Sequence, residues 1–419
     1  MNVLIFYEHL VREWDASQRL KKAHEYAGDN VEIKSIIFEK FDAYSSAKKR
    51  IPDVIYVPWF VEEIHEAILS SFLDLNPQAI VINLHQEEIG SENSEYKMLP
   101  RTEFTKNGSF HFVWGEYFKD RLIACGVREE NIEVTGNIRN DIHNQSSISK
   151  AELASIYGLD VKKKWILFAE NRGWTLSRYR KRGRLLTMLH GESDKQYEQF
   201  VKIERENLKG FIAQMQTLPQ EFKSKYEFVY RPHPGTVLNY DFPEGVHVIG
   251  DRPIQDWINS CDLFLTCEST SIFEAEMKGK PCAIVPSVNI PDKESKMAGV
   301  WEYPCIENIS DINDALIEKI RRQNCTGDPI YLKYLGVIDG HVASRMVEAS
   351  KKLFKQKKNK ECVGYLHATP KQICRHWLYE KVTKITVATG LLDIIQFPRS
   401  AYVEKRDIPY SKENSWIWE

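Results

Sequence analysis

The sequence of 419 residues lacks several features that define whole classes of protein. No Cys-x-x-Cys pair occurs among its eight cysteines, so the sequence indicates neither a zinc site nor a redox motif. No run of about 18 uncharged apolar residues is present, so we expect no membrane-spanning helix. The formal net charge is only −2, so no excess of cations favours nucleic acid as a partner.

The first residues also lack the marks of an export signal. The opening MNVLIFYEHLVREWD has no basic region before its apolar run and no cleavage site. Several cysteines stand singly in apolar runs, as Cys261, Cys267 and Cys282 do, and single buried thiols are typical of a reducing compartment. We therefore expect a cytoplasmic protein, and peripheral association with the inner membrane is left open.

What remains is the composition of a globular protein, 42% hydrophobic and 28% charged. A chain of this length exceeds one ordinary core, so we expect two domains. Short apolar runs alternate with helical patterns and short turns, which is typical of a parallel, doubly wound α/β sheet. The predicted division is a Rossmann-like domain over 1–150, a second one over 151–365, and a C-terminal helical segment over 366–419.

One strand end in the predicted second domain carries polar groups suited to an anion. In FVYRPHPG (228–235) an apolar run ends in a turn that two prolines stiffen. The turn presents Arg231 and His233 at the carboxyl end of the strand, where ligands of open parallel sheets bind. A guanidinium and an imidazole there suit phosphate better than they suit a merely structural turn.

A second strand end, in DLFLTCESTSIFEAEMKGKP (262–281), combines hydroxyl groups with the start of a helix. The helix dipole and unpaired backbone N–H groups favour an anion at such a place. Helix capping alone would use one hydroxyl rather than three. Glu274 lies about one turn into this helix and could bind a ribose diol, with an exposed helix carboxylate as the alternative. The predicted donor-binding residues are Arg231, His233, Glu268, Ser269, Thr270, Ser271 and Glu274.

A third strand end, HQEEIG (85–90), belongs to the predicted first domain. A carboxylate at this position could take the proton from an acceptor hydroxyl, as general-base catalysis requires. Glu87 and Glu88 are adjacent, so in a loop they point in different directions and only one would serve. His85 is a third candidate, and a solvated acidic loop is the alternative interpretation.

A basic segment, ENRGWTLSRYRKRGRLL (170–186), follows the first strand of the predicted second domain. It carries six cations between Arg172 and Arg184. Such a cluster could bind an anionic acceptor, a lipid diphosphate or a membrane surface, and a basic loop without a ligand has equal weight. The predicted acceptor-binding residues are Arg172, Arg178 and Arg180.

At these residues the chain resembles GT-B glycosyltransferases, and among them bacterial surface-polysaccharide enzymes that use cytidine-activated donors. These are polysialyltransferases and related sialyltransferases, capsular Kdo transferases and CDP-glycerol glycerophosphotransferases. Their His-Pro motif is matched by His233-Pro234, and their Ser-rich motif by Ser269–Ser271. The acidic pair that supplies the base in the sialyltransferases is matched by Glu87-Glu88, although Ile89 here separates it from the glycine. The resemblance spans roughly residues 80–290 and includes WGEYFKDRLIACGVREENIEVTGNIRND.

The resemblance implies two Rossmann-like domains with an interdomain cleft and a C-terminal helix that returns to the first domain. It implies a metal-independent glycosyltransferase with no cofactor beyond its nucleotide-sugar donor, in which His233 stabilises the leaving phosphate. The implied donor is CMP-linked Kdo or another acidic sugar. The implied acceptor is a bacterial surface polysaccharide or a lipid-linked glycan.

Two alternatives remain at this point. One is a nucleotide-sugar 2-epimerase of GT-B architecture, although the T-E-R-P-E motif of such enzymes is replaced here by CAIVPSVNIPDKESK (282–296). The other is a non-catalytic protein that binds a glycan or a nucleotide. Turnover without an acceptor would indicate the epimerase, and binding without turnover would indicate the non-catalytic protein.

Overall fold

The computed structural model describes residues 1–141, 148–171, 193–233, 240–286, 293, 296–357, 364–391 and 408–410. The chain divides into two compact units, each of which is an α/β structure built on a parallel sheet. Unit 1 comprises Met1–Glu88, Glu95–His143 and Tyr334–Glu419. Unit 2 comprises Ile89–Ser94 and Asn144–Lys333.

The strands are short, and most of their residues are buried. In unit 1 their order across the sheet is β2-β1-β3-β4-β5-β6, and in unit 2 it is β11-β10-β7-β8-β9. Their bounds are β1 Asn2–Tyr7, β2 Asn30–Ser35, β3 Val54–Val57, β4 Ile80–Asn83, β5 Phe110–Val113, β6 Ile132–Val134, β7 Lys164–Ala169, β8 Tyr226–Arg231, β9 Val246–Val248, β10 Leu263–Thr266 and β11 Cys282–Ile284.

Helices follow most of the strands, as expected for parallel crossover connections. The α-helices that the structure describes are α1 Leu10–Tyr26, α2 Lys40–Ala47, α3 Glu63–Leu73, α4 Glu92–Glu95, α5 Glu116–Ala124, α6 Lys150–Tyr157, α7 Asp194–Gln216, α8 Gln220–Lys225, α9 Ile254–Ser260, α10 Ser271–Met277, α11 Asp314–Asn324, α12 Ile330–Leu335, α13 Val342–Lys357 and α14 Pro370–Ala388. None of these described helices is long and apolar enough to cross a membrane.

The sheet of unit 1 is covered on both faces, which explains why its strands β1, β3, β4 and β5 are almost continuously apolar. Successive side chains of β1 point to opposite faces. Val3 and Ile5 pack with residues of α1 and α13. Leu4 and Phe6 pack with residues of α2 and α3. The unit therefore has two hydrophobic cores, one on each side of a single sheet.

The C-terminal part of the chain completes unit 1. In α13, Val342, Met346 and Leu353 belong to the same core as β1, β3 and β4. In α14, the Glu380 carboxylate accepts hydrogen bonds from the backbone amides of Phe41 and Asp42, both at 3.1 Å. Helix α14 thus packs on α2, and the predicted return of the C-terminal helix to the first domain is confirmed.

The predicted fold class, α/β with two Rossmann-like parallel sheets, is confirmed. The boundaries differ from the prediction, because Ile89–Ser94 belongs to unit 2 although it falls within the predicted first domain. The predicted second domain extends to 365, whereas the chain rejoins unit 1 from Tyr334 onward. The periodicity of an amphipathic helix shows that α13 has an apolar face, but not which sheet that face covers.

The sheet of unit 2 has β7 at its centre, between β8 and β10. Phe168 of β7 stacks on Tyr230 of β8 with ring centroids 5.4 Å apart. Residues of α7, including Phe211 and Met215, bury these rings. The buried strands β7, β8 and β10 therefore support the strand ends that carry the candidate phosphate-binding groups.

Candidate functional site

The carboxyl ends of three neighbouring strands of unit 2 lie at the same level. Ala169, the last residue of β7, is paired with Arg231 of β8 on one side and with Thr266 of β10 on the other. The Thr266 hydroxyl donates a hydrogen bond to the Ala169 carbonyl oxygen at 2.8 Å. The segments that follow these strands therefore begin side by side at one edge of the sheet.

Two residues after β7 tie the flanking segments together. The carboxylate of Glu170 accepts a hydrogen bond from the backbone amide of His233 at 2.8 Å. The amide side chain of Asn171 donates to the backbone carbonyl of Glu268. The His233 turn and the Ser269–Ser271 segment, which are far apart in sequence, thus converge on one edge of the sheet through Glu170 and Asn171.

His233 lies in the turn after β8 with its side chain exposed. Pro232 before it is partly buried, and Pro234 lies outside the described residues. The backbone of the turn is fixed by Glu170, so the imidazole is presented to solvent at a defined place on the sheet edge. The role of His233 as a donor to phosphate stays a prediction.

Arg231 does not agree with its predicted role on the phosphate. Its side chain is buried, and its guanidinium donates to the backbone carbonyl of Asp251 at 2.7 Å and to that of Arg252. Burial lowers the pKa of Arg231, against the opposing charges of Tyr157, Asp251 and Asp256. These contacts make Arg231 a support for the loop at 251–252.

The three hydroxyls after β10 differ in their surroundings. The Oγ atoms of Ser269 and Ser271 are hydrogen-bonded at 2.8 Å, and Ser269 Oγ also accepts from the Ser271 amide at 3.3 Å. Thr270 is exposed at the start of α10, and its side chain makes no capping hydrogen bond there. The predicted Ser-Thr-Ser segment is therefore a compact hydroxyl cluster with one member open to solvent.

The two predicted donor-binding carboxylates make contacts within unit 2. Glu268 accepts hydrogen bonds from the Met297 amide at 2.6 Å and from the Trp301 indole at 2.8 Å. These bonds anchor the segment at 296–301, so Glu268 does not agree with a direct role on the donor. Glu274 is partly exposed and accepts a hydrogen bond from the Gln255 side chain at 2.9 Å.

Glu88, one of the two predicted bases, does not fit that role. Its side chain is fully buried, and both of its oxygens accept from the Trp114 backbone amide, at 2.9 and 3.0 Å. Burial raises the pKa of Glu88 well above its ordinary value. A carboxylate without an exposed oxygen cannot take a proton from an incoming hydroxyl.

Glu87 is the exposed member of the acidic pair. Its side chain is 55% exposed and forms an ion pair with Arg12 of α1. The same guanidinium donates to the buried carboxylate of Glu13 at 3.0 Å. Glu87 is therefore accessible to a ligand, and Arg12 holds it at the carboxyl edge of the sheet of unit 1.

His85, the third candidate, is buried and structural. It has a positive φ of 45°, and its Nε2 lies 2.8 Å from Nδ1 of His111. The Nε2 of His111 lies 2.9 Å from the Lys106 carbonyl oxygen, to which it must donate, so its Nδ1 accepts from His85. Burial lowers the pKa of both imidazoles, that of His111 to about 4, so both are neutral at physiological pH.

A further carboxylate, which was not among the predicted residues, lies at the same edge of unit 1. Glu8 directly follows β1, and its Oε2 accepts a hydrogen bond from the indole of Trp59 at 2.6 Å. Its side chain is 21% exposed. Burial raises the pKa of Glu8, against the lowering effects of His9 and Trp59. Glu170 was missed in the same way, and each of the two is the first polar residue after a buried strand.

The predicted acceptor-binding residues Arg172, Arg178 and Arg180 lie outside the described residues. Within the part of the chain that the structure describes, no group of three or more His, Cys, Asp and Glu residues could hold a metal ion. Among the described residues, the accessible groups at the sheet edges include the His233 imidazole and the Thr270 hydroxyl in unit 2 and the Glu8 and Glu87 carboxylates in unit 1.

No protein-family model and no curated protein matches the chain. Solved structures do match it. A protein of Listeria monocytogenes assigned as a UDP-N-acetylglucosamine 2-epimerase is 15% identical with a TM-score of 0.52, over 88% of this chain and 99% of that one. The wall teichoic acid polymerase TagF in a CDPG soak is 13% identical with a TM-score of 0.50, over 86% and 90% of the two chains. These similarities show the fold, and the chain has the GT-B architecture that its motifs predicted.

Proposed function

We propose that the protein is an enzyme that acts on a nucleotide-activated sugar, whose phosphate binds at the carboxyl edge of the sheet of unit 2. One observation carries this proposal. Glu170 and Asn171 bring the His233 turn and the Ser269–Ser271 segment to the same edge. An imidazole and hydroxyls at the carboxyl edge of a parallel sheet are suitable donors to phosphate oxygens.

The reaction that we propose is transfer of the sugar to an acceptor hydroxyl. The hydroxyl loses its proton to a carboxylate, and its oxygen forms a bond to the anomeric carbon of the sugar. The bond from that carbon to the donor phosphate breaks, and the phosphate leaves with the electron pair. A hydrogen bond from His233 to a phosphate oxygen would stabilise the charge that develops there.

Two carboxylates of unit 1 are suited to accept the proton. Glu87 retains the role predicted for the acidic pair, since it is exposed. Glu8 is the stronger candidate, because the Trp59 indole fixes its orientation and its pKa is raised. A general base works best when its pKa lies near the pH at which the enzyme operates.

The finer parts of the proposal concern the substrates. The donor that we propose is a CMP-linked acidic sugar such as Kdo, and the acceptor is a bacterial surface polysaccharide or glycolipid handled in the cytoplasm. This part is supported by the resemblance of His233-Pro234 and Ser269–Ser271 to the motifs of enzymes that use cytidine-activated donors.

A second candidate function is epimerisation of a nucleotide sugar. It is favoured by the similarity to the Listeria protein, which extends over 99% of that chain. An epimerase would use the same phosphate-binding edge but would need no acceptor. Against it stands the sequence after Gly279-Lys280-Pro281, which departs from the T-E-R-P-E motif.

A panel of nucleotides tests the proposal. Thermal unfolding of the protein would be measured with CMP, CDP, UDP, GDP and ADP, since a ligand at a hundred times its Kd stabilises by about 2.7 kcal/mol. We expect the largest shift with a cytidine nucleotide, and loss of that shift in His233→Ala. His341→Ala, which changes an exposed histidine of unit 1, is the control.

Two results would contradict the proposal. If no nucleotide shifts the transition, or if His233→Ala responds as the wild type does, the phosphate site is wrong. Conversion of UDP-N-acetylglucosamine without any acceptor would instead establish the epimerase. Binding of a nucleotide without turnover of any sugar donor would identify a non-catalytic protein.

A further inference from the structure

Helix α14 exposes three large apolar side chains and buries three polar ones. A surface helix normally buries its apolar stripe and exposes its polar residues. In α14 the most buried residues are Glu380, Thr383 and Thr386. Trp377, Leu378 and Ile385 are exposed by 41%, 54% and 59% respectively. The helix therefore turns these three apolar side chains away from the unit that it belongs to, while Tyr379 and Val387 on its other side pack against that unit.

The buried polar face of α14 is fully accounted for by hydrogen bonds. Glu380 accepts from two backbone amides at the start of α2 and from the Lys384 ammonium, the latter at 2.7 Å. The hydroxyls of Thr383 and Thr386 donate to backbone carbonyls of their own helix, at 2.7 and 2.9 Å. Because Glu380 bonds specifically to α2, the helix is held in this orientation, and its outward apolar face is a fixed feature of unit 1.

The outward face of α14 forms one continuous stripe of exposed residues. These residues are Lys371, Cys374, Trp377, Leu378, Lys381, Ile385 and Ala388. With 3.6 residues per turn, all seven fall within an arc of roughly 120° around the helix axis. Three large apolar side chains thus share one stripe with two lysines, and Arg375 lies at its border.

The charge of this helix is of one sign on its exposed side. Its cations are Lys371, Arg375, Lys381 and Lys384, and its one acid is Glu380, so the four positive charges and one negative charge give +3. Glu380 is buried on the opposite face and paired with Lys384. The exposed stripe therefore presents cations and apolar groups without a carboxylate of its own.

We propose that the outward face of α14 binds the surface of an anionic lipid bilayer, with the helix lying parallel to it. Trp377, Leu378 and Ile385 would insert at the boundary between headgroups and acyl chains, where tryptophan is enriched. Lys371, Arg375 and Lys381 would contact the anionic headgroups through their flexible stems. The complementary charge is what favours a lipid surface over an uncharged apolar partner.

This inference goes beyond the proposed function and assigns membrane contact to a different element from the one that the sequence suggested. The sequence placed such contact in the basic segment at 172–184, which lies outside the described residues. The face of α14 belongs to unit 1 and does not depend on the phosphate-binding groups of unit 2. Loss of activity in His233→Ala therefore leaves the membrane proposal unaffected. Absence of vesicle binding would likewise leave the proposed function unaffected.

Sedimentation of the full chain with vesicles tests the proposal. Vesicles of about three parts phosphatidylcholine to one part phosphatidylglycerol would be compared with vesicles of phosphatidylcholine alone. We expect binding to the anionic vesicles to be at least about tenfold stronger, because three cations each contribute to attraction by a charged surface. Salt should weaken this binding, because it screens the lipid charge.

Two variants divide the apolar and the charged contributions. The apolar variant combines Trp377→Ser, Leu378→Ser and Ile385→Ser. The charge variant combines Lys371→Glu, Arg375→Glu and Lys381→Glu. We expect each variant to bind anionic vesicles at least about tenfold more weakly than the wild type. The matched control replaces three exposed apolar residues elsewhere, Ile64→Ser, Ile123→Ser and Ile156→Ser. It should bind as the wild type does, and thermal unfolding would confirm that all three variants are folded.

Fluorescence quenching tests whether the Trp377 side chain reaches the acyl chains of the bilayer. Brominated acyl chains should quench the fluorescence of the wild-type protein, and this quenching should fall in Trp377→Phe. The proposal is overturned if the wild type binds both kinds of vesicle equally weakly, or if the apolar variant binds like the wild type. The proposal is also overturned if the wild type does not bind vesicles but forms a dimer that dissociates in the apolar variant. That result would identify the outward face of α14 as a contact between two copies of the chain.

Discussion

The carboxylate of Glu170 accepts a hydrogen bond from the backbone amide of His233 at 2.8 Å. The backbone amide of Glu170 in turn donates to the Arg231 carbonyl at 3.0 Å. These two bonds join the end of β7 to both sides of the turn that follows β8. The backbone position of His233 therefore depends on a neighbouring strand as well as on Pro232 before it.

Removing the Glu170 carboxylate should weaken nucleotide binding without unfolding the protein. Glu170→Ala leaves the His233 amide without its acceptor, so we expect a loss of about tenfold in nucleotide affinity, measured by titration calorimetry. Glu170→Gln keeps a side-chain carbonyl as acceptor and should lose less than Glu170→Ala. Equal affinity in Glu170→Ala and the wild type would show that the turn does not need this support.

The three carboxylates of unit 1 should respond differently to replacement by glutamine. Glu8→Gln removes the group that we propose as the base, so we expect turnover to fall by about a hundredfold or more. Glu87→Gln should have a smaller effect, because the Glu87 carboxylate is already engaged in an ion pair with Arg12. Turnover of each variant would be measured across a pH series.

Glu88→Gln is the control for this series. A glutamine carbonyl can still accept from the Trp114 amide, so we expect little change in turnover. If Glu88→Gln abolished turnover while Glu8→Gln retained it, the assignment of the base would be reversed.

Stability should fall in mild acid because of the buried histidines. Burial lowers the pKa of His111 to about 4, whereas an unfolded histidine titrates near 6.5. Between these values the unfolded chain binds more protons, so the free energy of unfolding decreases as the pH falls. The contribution of His111 is about 3 kcal/mol over this window. Glu88 has a raised pKa and contributes with the opposite sign.

A variant isolates this contribution. His111→Asn keeps one acceptor and one donor but does not titrate, so its loss of stability between about pH 6.5 and about pH 4 should be smaller than that of the wild type. Urea unfolding at several pH values would measure this difference. Parallel pH profiles for the two proteins would contradict the prediction.

A side chain at Gly336 should destabilise unit 1. This residue has a φ of 71°, and an added Cβ would overlap the Trp114 carbonyl oxygen. We expect Gly336→Ala to lower the free energy of unfolding by about 2–4 kcal/mol, from the left-handed conformation and the overlap together. Gly28→Ala is the control, since Gly28 has a φ of 83° with nothing within 4 Å of an added Cβ. It should cost about 1 kcal/mol, measured by urea unfolding.

The sequence was sufficient to predict the parts of the fold that depend on the local pattern of apolar and polar residues. The buried runs at β1, β4, β7 and β8 are nearly uninterrupted, so they predicted a parallel sheet covered on both faces. Parallel strands also place their carboxyl ends on one edge, which is why the His233 turn and the Ser269–Ser271 segment could be expected together.

The side-chain partners could not be predicted, because they come from distant parts of the chain. The carbonyls at 251–252 that bind Arg231 lie twenty residues away, and Trp301, which binds Glu268, lies further still. Nothing in the pair Glu87-Glu88 shows which member is buried. A closer look at the first polar residue after each buried strand would have found Glu8 and Glu170.

Unit 1 is built from separate segments of the chain, and this determines when each unit can finish folding during synthesis. The long segment of unit 2, Asn144–Lys333, is continuous and is synthesised before α13. Until Val342, Met346 and Leu353 emerge, the face of the first sheet that carries Val3 and Ile5 has no cover from α13. The N-terminal third of the nascent chain must therefore wait for the C-terminal residues, with apolar surface open to chaperones, while the long segment of unit 2 has already been made.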